Sequence, residues 1–241
     1  SIINQKGGVG KTTTVINLAA GLSLNNKKVL VIDLDPQGNA TTGLGLSNID
    51  QTSNSIYQVL VGKKKIDEAV TKTNFSNLDI ITSNVDLSGL EVETADDGRR
   101  AYILKEKLTS YLNDSRASYD YVLIDCPPSL SLLTVMALVA SHSLLVPLQT
   151  EFFALEGITQ LMKTIDRIKV GLNPELMIRG ILLTMYDKRN KLSGDVETEA
   201  RNYFKEKVYK NVVPRNVRLS EAPSHGMPVI FYDKNCPGSK S

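Results

Sequence analysis

Seven consecutive residues carry the clearest chemistry in this chain. Gly7-Gly8-Val9-Gly10-Lys11-Thr12-Thr13 lies between an apolar opening, Ser1-Ile2-Ile3-Asn4, and a stretch in which Val15, Ile16, Leu18, Ala19 and Leu22 recur at helical spacing. A glycine-rich turn between a strand and a helix lets backbone N–H groups fold inward around phosphate oxygens, and the helix N-terminus behind it favours the anion. Lys11 supplies a point charge and Thr12 a hydroxyl for Mg2+. The usual pattern has a glycine five residues before the glycine of the Gly-Lys pair; here that position is Gln5, and Lys6 stands at the first turn of the loop.

Three acids stand where such a loop needs them. Asp33 and Asp35 end the apolar run Lys28-Val-Leu-Val-Ile-Asp-Leu-Asp35, so a strand continuing to its last residue would project both carboxylates from one face toward the cleft. An acid there orders the attacking water or the water shell of a metal; two strand-end acids that cap the next turn are the plainer alternative. Asp125 closes a second run, Tyr121-Val-Leu-Ile124, where an acid reaches Mg2+ through water, and Pro127-Pro128 stiffens the loop that follows. His142 and His225 are isolated, and Cys126 reads as a small buried hydrophobe.

A sheet has to hold these residues. Apolar, β-branched runs predict strands at 28–35, 78–82, 121–125, 143–148 and 177–184, with helices between them at 101–112, 130–140, 154–170 and 194–206. The alternation implies right-handed crossovers and an α/β fold: a mostly parallel twisted sheet with helices on both faces and ligands at the carboxyl ends of strands. The stretch 47–77 is more polar but holds no linker or repeat, so one domain over 1–241 is expected. The opening strand is short for a buried one and the tail Asp233-Lys-Asn-Cys-Pro-Gly-Ser-Lys-Ser241 stops early, which suggests some missing residues at both ends.

Composition bounds the rest. With 41% hydrophobic and 22% charged residues over 241, the chain is ordinary globular protein and not disordered. Its longest apolar runs fall well short of the ~18–20 residues of a membrane span, and no secretory signal opens it. Cys126 and Cys236 cannot form a disulfide framework, so a cytoplasmic location is expected. The net charge of +2 conceals a basic segment: Lys188, Arg189, Lys191, Arg201, Lys205, Lys207, Lys210, Arg215 and Arg218 face only Asp195, Glu197, Glu199 and Glu206. That pattern is either a solvated face or a polyanion surface.

Lys6-Gly-Gly-Val-Gly-Lys-Thr-Thr13 resembles the deviant Walker A loop of the ParA/MinD superfamily of P-loop NTPases. Asp33-Leu-Asp-Pro-Gln-Gly-Asn-Ala40, Asp125-Cys-Pro-Pro-Ser129 and Pro214-Arg-Asn-Val-Arg-Leu-Ser-Glu-Ala-Pro-Ser-His-Gly226 narrow the likeness to the ParA/Soj partition ATPases, over nearly the whole chain. The resemblance implies ATP and Mg2+ as cofactors and an ATP-sandwich homodimer in which Lys6 reaches the partner's nucleotide. It also implies hydrolysis stimulated by non-specific DNA and by a centromere-binding partner of the ParB/Spo0J kind, in a cytoplasmic, nucleoid-associated protein without membrane attachment. Carried onto this chain, it gives catalytic roles to Lys6, Lys11 and Asp35, the last on the attacking water. Nucleotide contacts fall to Lys6, Gly7, Gly8, Val9, Gly10, Lys11, Thr12 and Thr13, and the metal environment to Thr12, Asp33 and Asp125. Pro214 and Asn216 take the adenine, with Met185 or Tyr186 beside them; no Asn-Lys-x-Asp run for guanine is present. Arg189 and Arg218 match DNA-contacting positions, with Lys191, Arg201, Lys205 and Arg215 as candidate helpers; bracing of the adenine loop or pairing with acids is the alternative for these arginines. A MinD-like membrane-cycling division regulator is the competing function and needs an amphipathic basic C-terminal helix, whereas the visible tail has no apolar face. A cluster ATPase similar to the nitrogenase iron protein needs paired cysteines, a spacing that Cys126 and Cys236 lack.

Overall fold

The opening residues are the seam of the sheet. In the computed structural model, which describes residues 1–46, 53–114 and 118–241, Ile2 bridges in parallel to Asp125 on one side and Leu145 on the other. Its N–H donates to the Ile124 carbonyl at 3.0 Å, and the N–H of Ile3 donates to Leu145 at 3.0 Å. This short segment joins a four-stranded sheet to a two-stranded one. The first has the order β2 (Thr71–Lys72), β3 (Leu78–Ile81), β1 (Val29–Asp33), β4 (Tyr121–Asp125); the second pairs β5 (Ser143–Gln149) with β6 (Met177–Thr184). Every pairing is parallel except that of β2 with β3.

Between the strands run α1 (Lys11–Leu24), α2 (Asn39–Gly43), α3 (Ile56–Leu60), α4 (Ile66–Ala69), α5 (Leu90–Glu93), α6 (Ile103–Leu112), α7 (Leu132–Ala140), α8 (Ala154–Gly171) and α9 (Lys191–Phe204), followed by the short α10 (Val217–Glu221), α11 (Val229–Tyr232) and α12 (Pro237–Lys240). Residues 47–52, part of the polar stretch, lie outside the described residues. No helix among the described residues is long and apolar enough to cross a membrane.

The continuous apolar runs are explained by cover on both faces. All five residues of β1 are buried; Val29 and Val31 pack with Val15, Ile16 and Ala19 of α1, whereas Leu30 and Ile32 join Leu104, Leu108 and Met136 on the opposite side. Alternate side chains thus enter two separate cores, each fully buried one contributing about 1.5–3 kcal/mol. Because the strands are parallel, Asp33, Asp125, Gln149 and Thr184 all end at the same edge.

Candidate active site

The glycine-rich loop crosses that edge and is pinned at both ends. Asn4 accepts the Lys6 N–H at 2.9 Å and donates from Nδ2 to the Pro147 carbonyl at 2.7 Å, while the Thr184 hydroxyl donates to the Val9 carbonyl at 2.9 Å. Gly8 and Gly10 take left-handed conformations, φ 74° and 93°, which favour glycine over any side chain. Gly10 caps α1, so Lys11, Thr12 and Thr13 form its first turn with their N–H groups unpartnered by earlier turns of helix. The Pro128 ring packs 3.8 Å from where a Cβ on Gly7 would stand.

Lys11 is 7% exposed and donates from Nζ to the Lys6 carbonyl at 3.0 Å. Burial lowers its pKa, and the Asp125 carboxylate offsets part of that effect. Lys6 turns outward instead, its ammonium 2.6 Å from Glu151 Oε2, both side chains about half exposed.

Asp33 and Asp125 are register partners at the ends of adjacent strands, and both are fully buried. Asp33 Oδ2 accepts the N–H and the hydroxyl of Thr41 at 2.8 and 2.7 Å; burial nonetheless raises its pKa to about 6. Both oxygens of Asp125 are sealed from solvent and, among the described residues, accept no well-formed hydrogen bond. Burial and then the charge of Asp33 push its pKa well above the ordinary carboxylate range, with the nearby Thr12 hydroxyl and Lys11 pulling the other way. Asp35 does not share a strand face with Asp33, because β1 ends at Asp33. A turn holds it: Oδ1 accepts the Gln37 N–H at 3.0 Å and its carbonyl accepts the Gly38 N–H at 2.9 Å.

A buried carboxylate with two orphaned oxygens, beside a hydroxyl and an ammonium at a helix N-terminus, has the donor set that Mg2+ and phosphate oxygens complete. The residues present fit that group: Thr12 and Asp125 on the metal side, the loop N–H groups and Lys11 on the phosphates.

On the far side of α1, Pro214, Asn216 and Met185 line one cavity of about 1710 Å3 together with Gly10, Thr13 and Asn17. Asn216 Oδ1 is buried with no partner among the described residues, an acceptor suited to an exocyclic amine. Tyr186 meets Pro214 through its backbone, as a parallel bridge, rather than as a cavity wall.

The basic segment is partly neutralised within the chain. Arg189 grips Asp187 with two bonds of 2.9 and 3.0 Å and stays 89% exposed. Arg218 pairs with Glu221 at 2.8 Å and Asp233 at 3.6 Å. Arg201 braces its surroundings, bonding Glu197 and the carbonyls of Tyr209 and Lys210. The sequence reading missed Asn4, Thr41, Glu151 and Thr184. Their residue types are ordinary, and only three-dimensional proximity marks them out.

The AAA domain family matches residues 1–178. The chain is 52% identical to the chromosome partitioning protein ParA of Caulobacter vibrioides, covering 100% of this chain and 89% of that one. It is 48% identical to the sporulation initiation inhibitor protein Soj of Bacillus subtilis, covering 100% and 93%. Among solved structures it is similar to cobyrinic acid a,c-diamide synthase from Mycobacterium smegmatis with a bound ATP analog and magnesium, with a TM-score of 0.81, 37% identity, and 90% and 84% of the two chains covered.

Proposed function

Since the chain belongs to the ParA/Soj family of partitioning ATPases, we propose that it works as one ATPase domain that dimerises around ATP, holds DNA without sequence preference and hydrolyses the nucleotide when a centromere-bound partner docks. The carrying observation is the orphaned Asp125 carboxylate beside Thr12 and Lys11. The partition reading takes precedence over the synthase of the structural comparison because identity to partition proteins reaches 52% over the full chain, against 37%.

The loop N–H groups and Lys11 bind the phosphates, and Thr12 and Asp125 hold Mg2+, with Asp33 behind them. Bound Mg2+ neutralises charge on the phosphate oxygens. Asp35 orients the attacking water and accepts its hydrogen bond. Lys6 leaves Glu151 to reach the second copy's nucleotide. Pro214 and Asn216 receive the adenine. Arg189 and Arg218 exchange their acids for DNA phosphates, in a protein that is cytoplasmic and nucleoid-bound.

Salt-titrated binding to non-specific DNA, with ATP, with ADP and without nucleotide, tests the reading. The expected result is ATP-dependent binding that falls steeply with salt, abolished in Lys6→Ala and prolonged in Asp35→Ala. Binding indifferent to nucleotide, or an oligomeric state that ATP leaves unchanged in Asp35→Ala, would sink it.

A further inference from the structure

Thr41 is fully buried in α2 and has no solvent of its own to satisfy it. Its hydroxyl does two things at once. It donates its single hydrogen to Asp33 Oδ2 at 2.7 Å and accepts the N–H of Ser83 at 3.1 Å. Asp33 ends β1; Ser83 lies two residues beyond the end of the neighbouring strand β3. One oxygen therefore ties the carboxylate edge of the nucleotide site to the loop that follows β3. A hydroxyl that donates and accepts along one chain strengthens each bond through the other.

Two further features make this a junction rather than a filler. The turn from Asp35 to α2 is short and stiff, since the Asp35 carbonyl holds Gly38, the left-handed cap of α2, and Thr41 sits three residues later. A displacement of Asp35 is thus carried to Thr41. On the other side, the hydroxyls of Ser55 and Ser83, both fully buried, have no partner among the described residues. Unpaired buried hydroxyls are uncommon, and a pair flanking the end of β3 leaves that end with bonds to make in a second arrangement. The segment it leads into, 83–93, carries Val85 and Val92 at 72% and 80% exposure.

Building on the nucleotide reading above, we infer that Thr41 is a positioning residue: it sets Asp33 and the Asp35 turn for hydrolysis and couples their state to segment 83–93. Thr41→Val keeps the shape and removes both hydroxyl bonds; Thr41→Ser keeps the hydroxyl. Steady-state ATP hydrolysis and amide hydrogen exchange are measured on the whole chain. Thr41→Val should lower kcat about tenfold while KM for ATP stays within about twofold, and Thr41→Ser should restore most of the loss. Exchange at 83–93 should differ between ATP and ADP in the wild type, and in Thr41→Val that difference should vanish with Ser83 exchanging about tenfold faster. An unchanged kcat in Thr41→Val beside an active wild type overturns the coupling and leaves the ATPase reading standing. So does nucleotide-independent exchange at 83–93 in the wild type, or an equal loss in Thr41→Ser. A wild type that hydrolyses no ATP overturns both.

Discussion

Replacing Asp125 by asparagine should stabilise the nucleotide-free protein while removing its response to the nucleotide. Both carboxylate oxygens are solvent-free and unpaired, and the register neighbour is a second buried acid, Asp33. Asparagine has the same shape and no charge. A buried unpaired charge costs more than a buried unpaired amide, and the difference is about 1–3 kcal/mol, or roughly 2–12 °C in Tm for a chain of this size. The pH dependence has a definite sign. Asp33, raised to about 6, and Asp125, raised well above 3.8, both have folded-state values above their unfolded ones. Their ionisation penalty is therefore absent below about pH 4, enters as pH rises through the folded values, and is complete above them. The advantage of Asp125→Asn should accordingly be larger at neutral pH than at about pH 4. With ATP and Mg2+ the gap closes. Ligand at a hundredfold its Kd adds about 2.7 kcal/mol to the wild type, whereas the variant lacks the carboxylate on the metal and gains little. Thermal unfolding with and without ATP and Mg2+ at the two pH values checks this. A variant less stable than wild type at the higher pH without nucleotide, or an advantage independent of pH, refutes the reasoning.

Three other outcomes follow from the geometry. Gly226→Ala should lose about 2–4 kcal/mol, because φ is 63° and the new Cβ would lie 2.6 Å from the Gly45 Cα, a backbone atom that cannot step aside; Gly21→Ala, where nothing lies within 4 Å, is the control, and chemical denaturation reads both. Arg189→Ala should weaken DNA binding and flatten its salt dependence without moving Tm, whereas Arg201→Ala should lower Tm, since Arg201 holds two backbone carbonyls. Glu151→Gln should let ATP dimerise the protein at up to about fivefold lower concentration in sedimentation runs, the modest gain expected from releasing Lys6 from a half-exposed ion pair.

Much of this architecture was readable from the residues. Tyr121–Asp125 and Met177–Thr184 fall where their apolar runs predict them, because the residues at their carboxyl ends are buried although both strands open on exposed ones. The run at 28–35 misled by two residues: Leu34 is still apolar and fully buried, but the turn that holds Asp35 has begun. Helix α9 starts at Lys191, earlier than its apolar spacing indicates, because Asn190 caps it by accepting the Leu192 N–H at 3.0 Å. The small elements α3, α4 and β2 were hidden in a polar stretch, where few core positions leave periodicity little to show. Thr41 was illegible for another reason: a threonine eight residues past an aspartate has no spacing signature, and its role exists only once β1 and β3 lie side by side.

The charge balance of the site also accounts for where its lysines lie. Asp33, Asp35 and Asp125 outnumber Lys6 and Lys11 at one sheet edge, and both lysines are occupied, Lys11 by the Lys6 carbonyl and Lys6 by Glu151. A triphosphate alone would bring more negative charge to an edge already lined with acids, in a setting where burial weakens screening. The two buried acids cannot relieve that by turning to solvent, because neither has solvent access. A divalent cation arriving with the phosphates is the counter-charge that fits, and it would give the Asp125 oxygens partners that they lack among the described residues. The same balance explains why Lys6 rests on Glu151. Its own loop already has Lys11 as the inward charge, so in the proposed dimer the outward lysine would be the one to meet phosphates that a second copy presents.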